Sequence, residues 1–253
     1  MKVFAISDLH LSINNPKPMD IFGPIWENYI DKIFDDWKSK VSEDDIVLLA
    51  GDFSWAIKLE DTKSDFDLMK DLPGKKIIIR GNHDYWWKSI SSVRGVLPQN
   101  FYAIQNDSLT FGDYIICGTR GWVIPDDNKS SEEDIKIYKR ELIRLQLTLE
   151  NATRLRKEGQ KLICMLHYPP YNFKEEDSEF TSLLEKYKVD CVVYGHLHAY
   201  LKQHRVLDKN GIRYYLTSCD LVDNKLIEIY WLKLLLKAII LVSNTLTFKW
   251  NLL

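Results

Sequence analysis

A chain of 253 residues, 45% hydrophobic and 28% charged, carries enough apolar material for one substantial core and has neither a disordered nor a fibrous composition. Its 34 basic and 36 acidic residues leave a formal charge of -2, which argues against binding long nucleic acid through charge, since that needs a basic face or tail. The four cysteines, Cys117, Cys164, Cys191 and Cys219, lie mostly in apolar runs without CxxC spacing and read as buried, reduced thiols; with no signal-peptide pattern at the start, the expected location is the cytoplasm.

The first element expected is a buried strand in KVFAIS, followed by a helix in which Trp26, Ile30, Ile33, Phe34 and Trp37 recur at helical spacing. The runs DIVLLA, KKIIIR, DYIICGT, KLICML and VDCVVYG are continuous rather than alternating, as in strands covered on both faces. Ile135, Tyr138, Leu142, Leu145, Leu149 and Ala152 predict a long helix, capped by Ser130 or Ser131 and ending before Gly159. RVLDKNGIRYYLTS reads as a hairpin turning on Asn210-Gly211 in a type I′ turn. Strands interspersed with helices, then a hairpin, predict an α/β sandwich with mixed sheets.

Residues 1–229 read as one domain and 230–253 as an apolar extension. WLKLLLKAIILV is broken only by Lys233 and Lys237, and TLTFKW alternates. No uncharged stretch approaches the ~18 residues of a transmembrane span. Packing on the chain's own core, a homodimer interface and attachment to a membrane surface all remain open for this segment.

Polar residues gather where the apolar runs stop: Asp8-Leu9-His10, Gly51-Asp52, Gly81-Asn82-His83-Asp84, His167 and Gly195-His196-Leu197-His198. Each alone reads blandly, as a turn, a cap or a satisfied histidine. His204, outside every cluster, keeps that reading. Together they use five of the six histidines, and strands running in one direction would bring all five clusters to one edge.

The order DxH, GD, GNHD, H, GHxH resembles the calcineurin-like metallophosphoesterase family, from about residue 1 to residue 229. PMDIFGPIWENY and GNHDYWW are similar to a bacterial group of predicted phosphohydrolases with unassigned substrates. The resemblance implies a four-layer αββα sandwich with two mixed β-sheets. It implies that Asp8, His10 and His198 bind one metal, that Asn82, His167 and His196 bind another, and that Asp52 bridges them. Imidazole, carboxylate and amide donors without thiolate suit manganese, the first choice, or iron or zinc. The implied function is metal-dependent hydrolysis of a small or medium phosphodiester or phosphomonoester by metal-bound hydroxide, with His83 protonating the leaving oxygen. A non-catalytic scaffold of the same fold and a small nuclease are the alternatives.

Further residues carry functional readings, most of them beside a structural one. Asp84 orients His83 or caps a helix expected around Tyr85 to Val93. Arg120 in GTRGW is a candidate phosphate contact, with Trp122 packing the substrate, and Arg80 is either a second contact or a structural ion-pair partner. The run Tyr85-Trp86-Trp87 reads as core packing before substrate stacking. GDFSWAI stands where Ser/Thr protein phosphatases of the superfamily have GDxxDRG, which argues against protein phosphatase activity.

Overall fold

The computed structural model describes residues 1–14, 16–126, 130–199 and 204–230. The apolar runs form the centre of two sheets. In the first, β1 (Val3–Ile6), β2 (Ile46–Leu49), β3 (Lys75–Ile78) and β4 (Phe101–Ala103) run parallel, and β11 (Ile227–Glu228) joins β1 antiparallel at the edge. In the second, β6 (Tyr114–Thr119), β7 (Lys161–Leu166), β8 (Cys191–Tyr194) and β10 (Ile212–Leu216) are parallel. Antiparallel β5 (Ser108–Phe111) and β9 (Val206–Lys209) close its edges.

Alternation within each strand sorts its side chains between two cores. Phe4 and Ile6 face helices α1 (Tyr29–Lys40), α2 (Lys63–Met69) and α3 (Ile90–Arg94), whereas Val3 and Ala5 face the other sheet. Cys117, Cys164 and Tyr194 likewise meet α4 (Glu132–Leu155) and α5 (Glu179–Lys186), while Ile116, Met165 and Val193 pack between the sheets. Three apolar cores therefore separate four layers, the αββα sandwich the family resemblance implied. All four cysteines are buried and free.

Of the two serines offered as caps for α4, Ser131 takes the role, its hydroxyl accepting the Asp134 N–H in a capping box. The β9–β10 hairpin turns on Asn210 (φ 51°) and Gly211 (φ 80°), the two positive φ values of a type I′ turn. The helix expected around Tyr85 to Val93 is shorter: α3 begins at Ile90, capped by Ser89, because Trp86 and Trp87 turn into the core ahead of it. Tyr85 stays exposed, so the aromatic run divides as two core residues and one surface residue.

Among the described residues no helix is long and apolar enough to cross a membrane. The proposed roles of WLKLLLKAIILV and TLTFKW fall on residues outside those described.

Candidate metal centre

The carboxyl ends of β1, β2, β3, β7 and β8 meet at one edge of the sandwich, where an open α/β sheet places its sites. Backbone bonds knit the ends together. Asp8 N–H donates to Gly51 O at 3.0 Å, His10 N–H to Asp52 O at 3.0 Å, and Gly195 N–H to His167 O at 3.1 Å. Each chain turns sharply as it leaves its strand, and Asp8, His10, Asp52 and His196 all hold positive φ (59°, 48°, 51° and 72°). Such conformations are uncommon for residues with a Cβ and cluster where surrounding contacts enforce them at functional sites. Two glycines make room: a Cβ on Gly81 would collide with the Asp52 carboxylate, and one on Gly195 with Asp8 and Ser7.

The seven expected ligands come together. His10 Nε2 lies 3.4 Å from His198 Nε2 and 3.8 Å from Asp52 Oδ2. His198 Nε2 lies 3.7 Å from Asp8 Oδ1. On the other side, His167 Nε2 is 3.4 Å from Asp52 Oδ2 and 2.7 Å from Asn82 Oδ1, which is also 2.8 Å from His196 Nδ1. Asp52 Oδ2 thus stands between the His10 and His167 groups. Asp8 contributes to both trios whose donor atoms fall within 4.8 Å of one another: Asp8–His10–His198 and Asp8–Asp52–His167.

This donor set fits divalent cations on geometry and chemistry. Ligands about 2.1 Å from one tetrahedral ion stand roughly 3.4 Å apart, which is the His10–His198 spacing. Two of the imidazoles are also oriented from behind: His167 Nδ1–H donates to the Ala50 carbonyl at 3.0 Å, and His198 Nδ1–H to Asp220 Oδ1 at 3.0 Å. Those bonds turn each Nε2 toward the centre, the usual arrangement behind a ligating histidine. Asp220, which also accepts the Ala199 N–H, carries no sequence signal, because it lies in a loop 22 residues after His198.

Electrostatics divide the imidazoles, since His167 and His198 are raised and must lose a proton to coordinate while His10 and His196 are lowered. Burial lowers the pKa of His10 and of His196 to about 3, leaving both rings neutral and free to coordinate. Burial opposes charge on His167 too, but the Asp52 and Asp8 carboxylates outweigh it and raise it to about 9. Asp8 is raised by burial and by Asp52, against the pull of His198 and His167. Two buried carboxylates this close call for cationic compensation.

His83 borders the centre without joining either trio of donors. Its ring lies 5.6 Å from the His10 ring and 4.5 Å from Trp55, and its backbone N–H donates to Asp52 Oδ1 at 2.8 Å. Burial lowers its pKa.

Asp84 takes neither expected role. Its fully buried carboxylate accepts the N–H groups of Phe53 (2.9 Å), Ser54 (3.1 Å) and Gly81 (2.7 Å) and the Trp86 indole N–H (2.9 Å), fastening the GD loop to the GNHD loop. The exposed His204 pairs with Glu175 away from the site, the bland reading given to it.

Arg120 stacks on Trp122, with 4.5 Å from its Cζ to the ring centroid, and lies 3.7 Å from Glu141. Its carbonyl accepts the N–H groups of His167 and Tyr168. An apolar cavity beside the centre is walled by Val123, Ile124, Tyr168, Phe173 and the ring of His196.

A two-sheet αββα sandwich with histidines, carboxylates and an amide gathered at its strand ends is the architecture of a metallophosphoesterase. The chain belongs to the calcineurin-like phosphoesterase family, whose sequence model matches residues 1–200. Among solved structures, TT1561 of Thermus thermophilus is similar at a TM-score of 0.51 and 15% identity, covering 90% of this chain and 97% of its own. AQ665 from Aquifex aeolicus, a protein of unknown function, is similar at a TM-score of 0.47 and 17% identity, covering 90% of this chain and 95% of its own. No curated protein matches the chain. Membership in the family supports metal-dependent phosphoester hydrolysis as the general class of activity.

Proposed function

We propose that this chain hydrolyses a small or medium phosphoester at a centre of two divalent cations. Asp8, His10 and His198 would hold one, Asn82, His167 and His196 the other, and Asp52 would be shared. The observation that supports this most is the meeting of all seven side chains from five strand ends at spacings suited to common cations. Manganese is the proposed ion, on donor chemistry. Bound there, the cations supply a water acidified toward neutrality and positive charge against the phosphoryl oxygens.

The protein's own groups do the rest. Asn82 brings a neutral oxygen between His167 and His196 and so adds no negative charge to that side. Ala50 and Asp220 keep their imidazoles facing inward. His83, held by its backbone against Asp52 and by its ring against Trp55, would give a proton to the departing oxygen; burial lowers its pKa, so its charged form depends on the anionic substrate beside it. Arg120 is proposed as a substrate contact beyond the centre.

His83→Ala separates metal binding from proton transfer. The variant is expected to keep its metal content and lose about 10²–10⁴-fold in rate on esters with poor leaving groups, the range of general acid catalysis. A nitrophenolate leaving group needs less protonation, so its loss is smaller. Equal losses on both esters would assign His83 to electrostatic stabilisation instead.

A further inference from the structure

The apolar cavity beside the metal centre contains one expected ligand, His196, whose ring forms part of its wall. Tyr168 lies against that ring at 4.0 Å, and Trp122 backs Tyr168 at 5.0 Å with its indole N–H fixed to Asp134 at 3.2 Å. Val123, Ile124, Phe173 and Leu197 extend the lining, and among the described residues no Asp, Glu, Lys or Arg joins it. Two polar residues of the wall are engaged elsewhere. Asn172 accepts the N–H groups of Lys174 and Glu176 and donates to the Glu176 carboxylate at 2.7 Å, and the Tyr171 hydroxyl is bonded to that of Tyr194. The wall therefore suits an uncharged occupant. Val123 and Phe173 are also 50% and 66% exposed. Large apolar side chains held together at the surface beside a polar centre mark a ligand-binding patch.

Size and position narrow the occupant. The cavity of about 90 Å³ is open on one side and has room for one small ring, not for an acyl chain or a fused bicyclic base. Tyr168, Phe173 and His196 offer such a ring stacked or edge-to-face contacts. The ring of His83, the proposed proton donor, meets Trp55, His10 and Tyr85 at 4.5, 5.6 and 6.1 Å. The ring of His196 meets Tyr168 and His167 instead, at 4.0 and 5.2 Å. The departing oxygen thus belongs to the His10 side of the centre. The cavity lies on the His196 side, where it meets a group that stays on phosphorus.

We propose that this cavity seats a compact, uncharged aromatic ring esterified to the phosphate and retained when the leaving group departs. The preferred substrate is then a phosphodiester, since a monoester has no second group to place there. Hydrolysis breaks the other ester bond: water supplies the new P–O bond, the departing oxygen takes a proton, and the ring leaves as part of a monoester. The cavity stands on its own lining; that its occupant belongs to a substrate rests on the phosphoesterase reading.

Calorimetric titration of the full-length, manganese-loaded chain with benzylphosphonate and with ethylphosphonate tests the site without turnover. The two are non-hydrolysable counterparts of a phenyl and a methyl ester. Burial of the ring is expected to make benzylphosphonate bind about 10- to 100-fold more tightly. In Ile124→Asn and in Phe173→Ser that preference falls about 10-fold, as for other changes in an apolar pocket. Bound manganese is expected to match the wild type in both and reports an intact centre. In turnover, phenyl p-nitrophenyl phosphate and methyl p-nitrophenyl phosphate share a leaving group, and the phenyl ester loses more kcat/KM in both variants. Equal affinity for the two phosphonates, a preference unchanged in both variants, or equal losses on the two esters overturns the proposal. Failure of the phosphoesterase reading shows separately, as no metal-dependent turnover of either ester.

Discussion

Asp52→Asn is expected to abolish turnover and to reduce bound metal from two ions per chain to one or none. Asp52 Oδ2 lies 3.8 Å from His10 Nε2 and 3.4 Å from His167 Nε2, so it faces both groups of donors. Its Oδ1 is engaged by the His83 N–H at 2.8 Å. An amide can preserve that bond only by turning its NH₂ toward the cations, which replaces a shared anion by a pair of donors. Two cations about 4 Å apart repel, and a carboxylate between them offsets part of that repulsion. The fold is expected to survive, because Asp8, whose pKa burial raises most, also loses the like-charge repulsion of its neighbour Asp52. Elemental analysis and phosphodiester turnover on the same sample decide the matter. A metal-replete variant with wild-type turnover contradicts the shared-ligand role.

Asp84→Ala should have the largest effect on stability. It strips the acceptor from four donors: the backbone N–H groups of Phe53, Ser54 and Gly81 and the indole of Trp86. Each donor left buried and unpaired costs about 1–3 kcal/mol. Even with some reached by water, the expected loss is on the order of 4 kcal/mol, a large part of the roughly 5–15 kcal/mol of a typical domain. Asp84→Asn is expected to be milder, since its remaining oxygen still accepts from Phe53, Ser54 and Trp86, and only the Gly81 N–H meets an amide donor. Denaturant midpoints of the two variants give the comparison. An alanine variant within about 1 kcal/mol of wild type would show that water replaces the carboxylate at little loss.

The parts legible in the sequence were those with a local signature. Continuous apolar runs marked the central strands, and DxH, GNHD and GHxH marked their ends, because polar residues cluster where each apolar run stops. Edge strands were harder: β5 is only partly buried, β4 has three residues and β11 has two. The residues behind the site were hidden for a different reason. Asp220 meets His198 only through the fold, and Asp84 reads as a local cap until Phe53 and Ser54 arrive beside it from another strand end. The positive φ of Asp8, His10, Asp52 and His196 had no sequence mark either, since none is a glycine.

The central claim is a two-cation hydrolytic centre, and metal counted against turnover in one titration tests it most directly. The purified chain is loaded with manganese, chelated stepwise and assayed at each step for bound metal and for hydrolysis of bis-p-nitrophenyl phosphate and p-nitrophenyl phosphate. The account predicts two ions per chain when loaded, turnover of at least one ester that falls as the ions leave, and recovery when manganese is restored. Full turnover in the metal-free chain, or two bound ions with hydrolysis of neither ester, would contradict it.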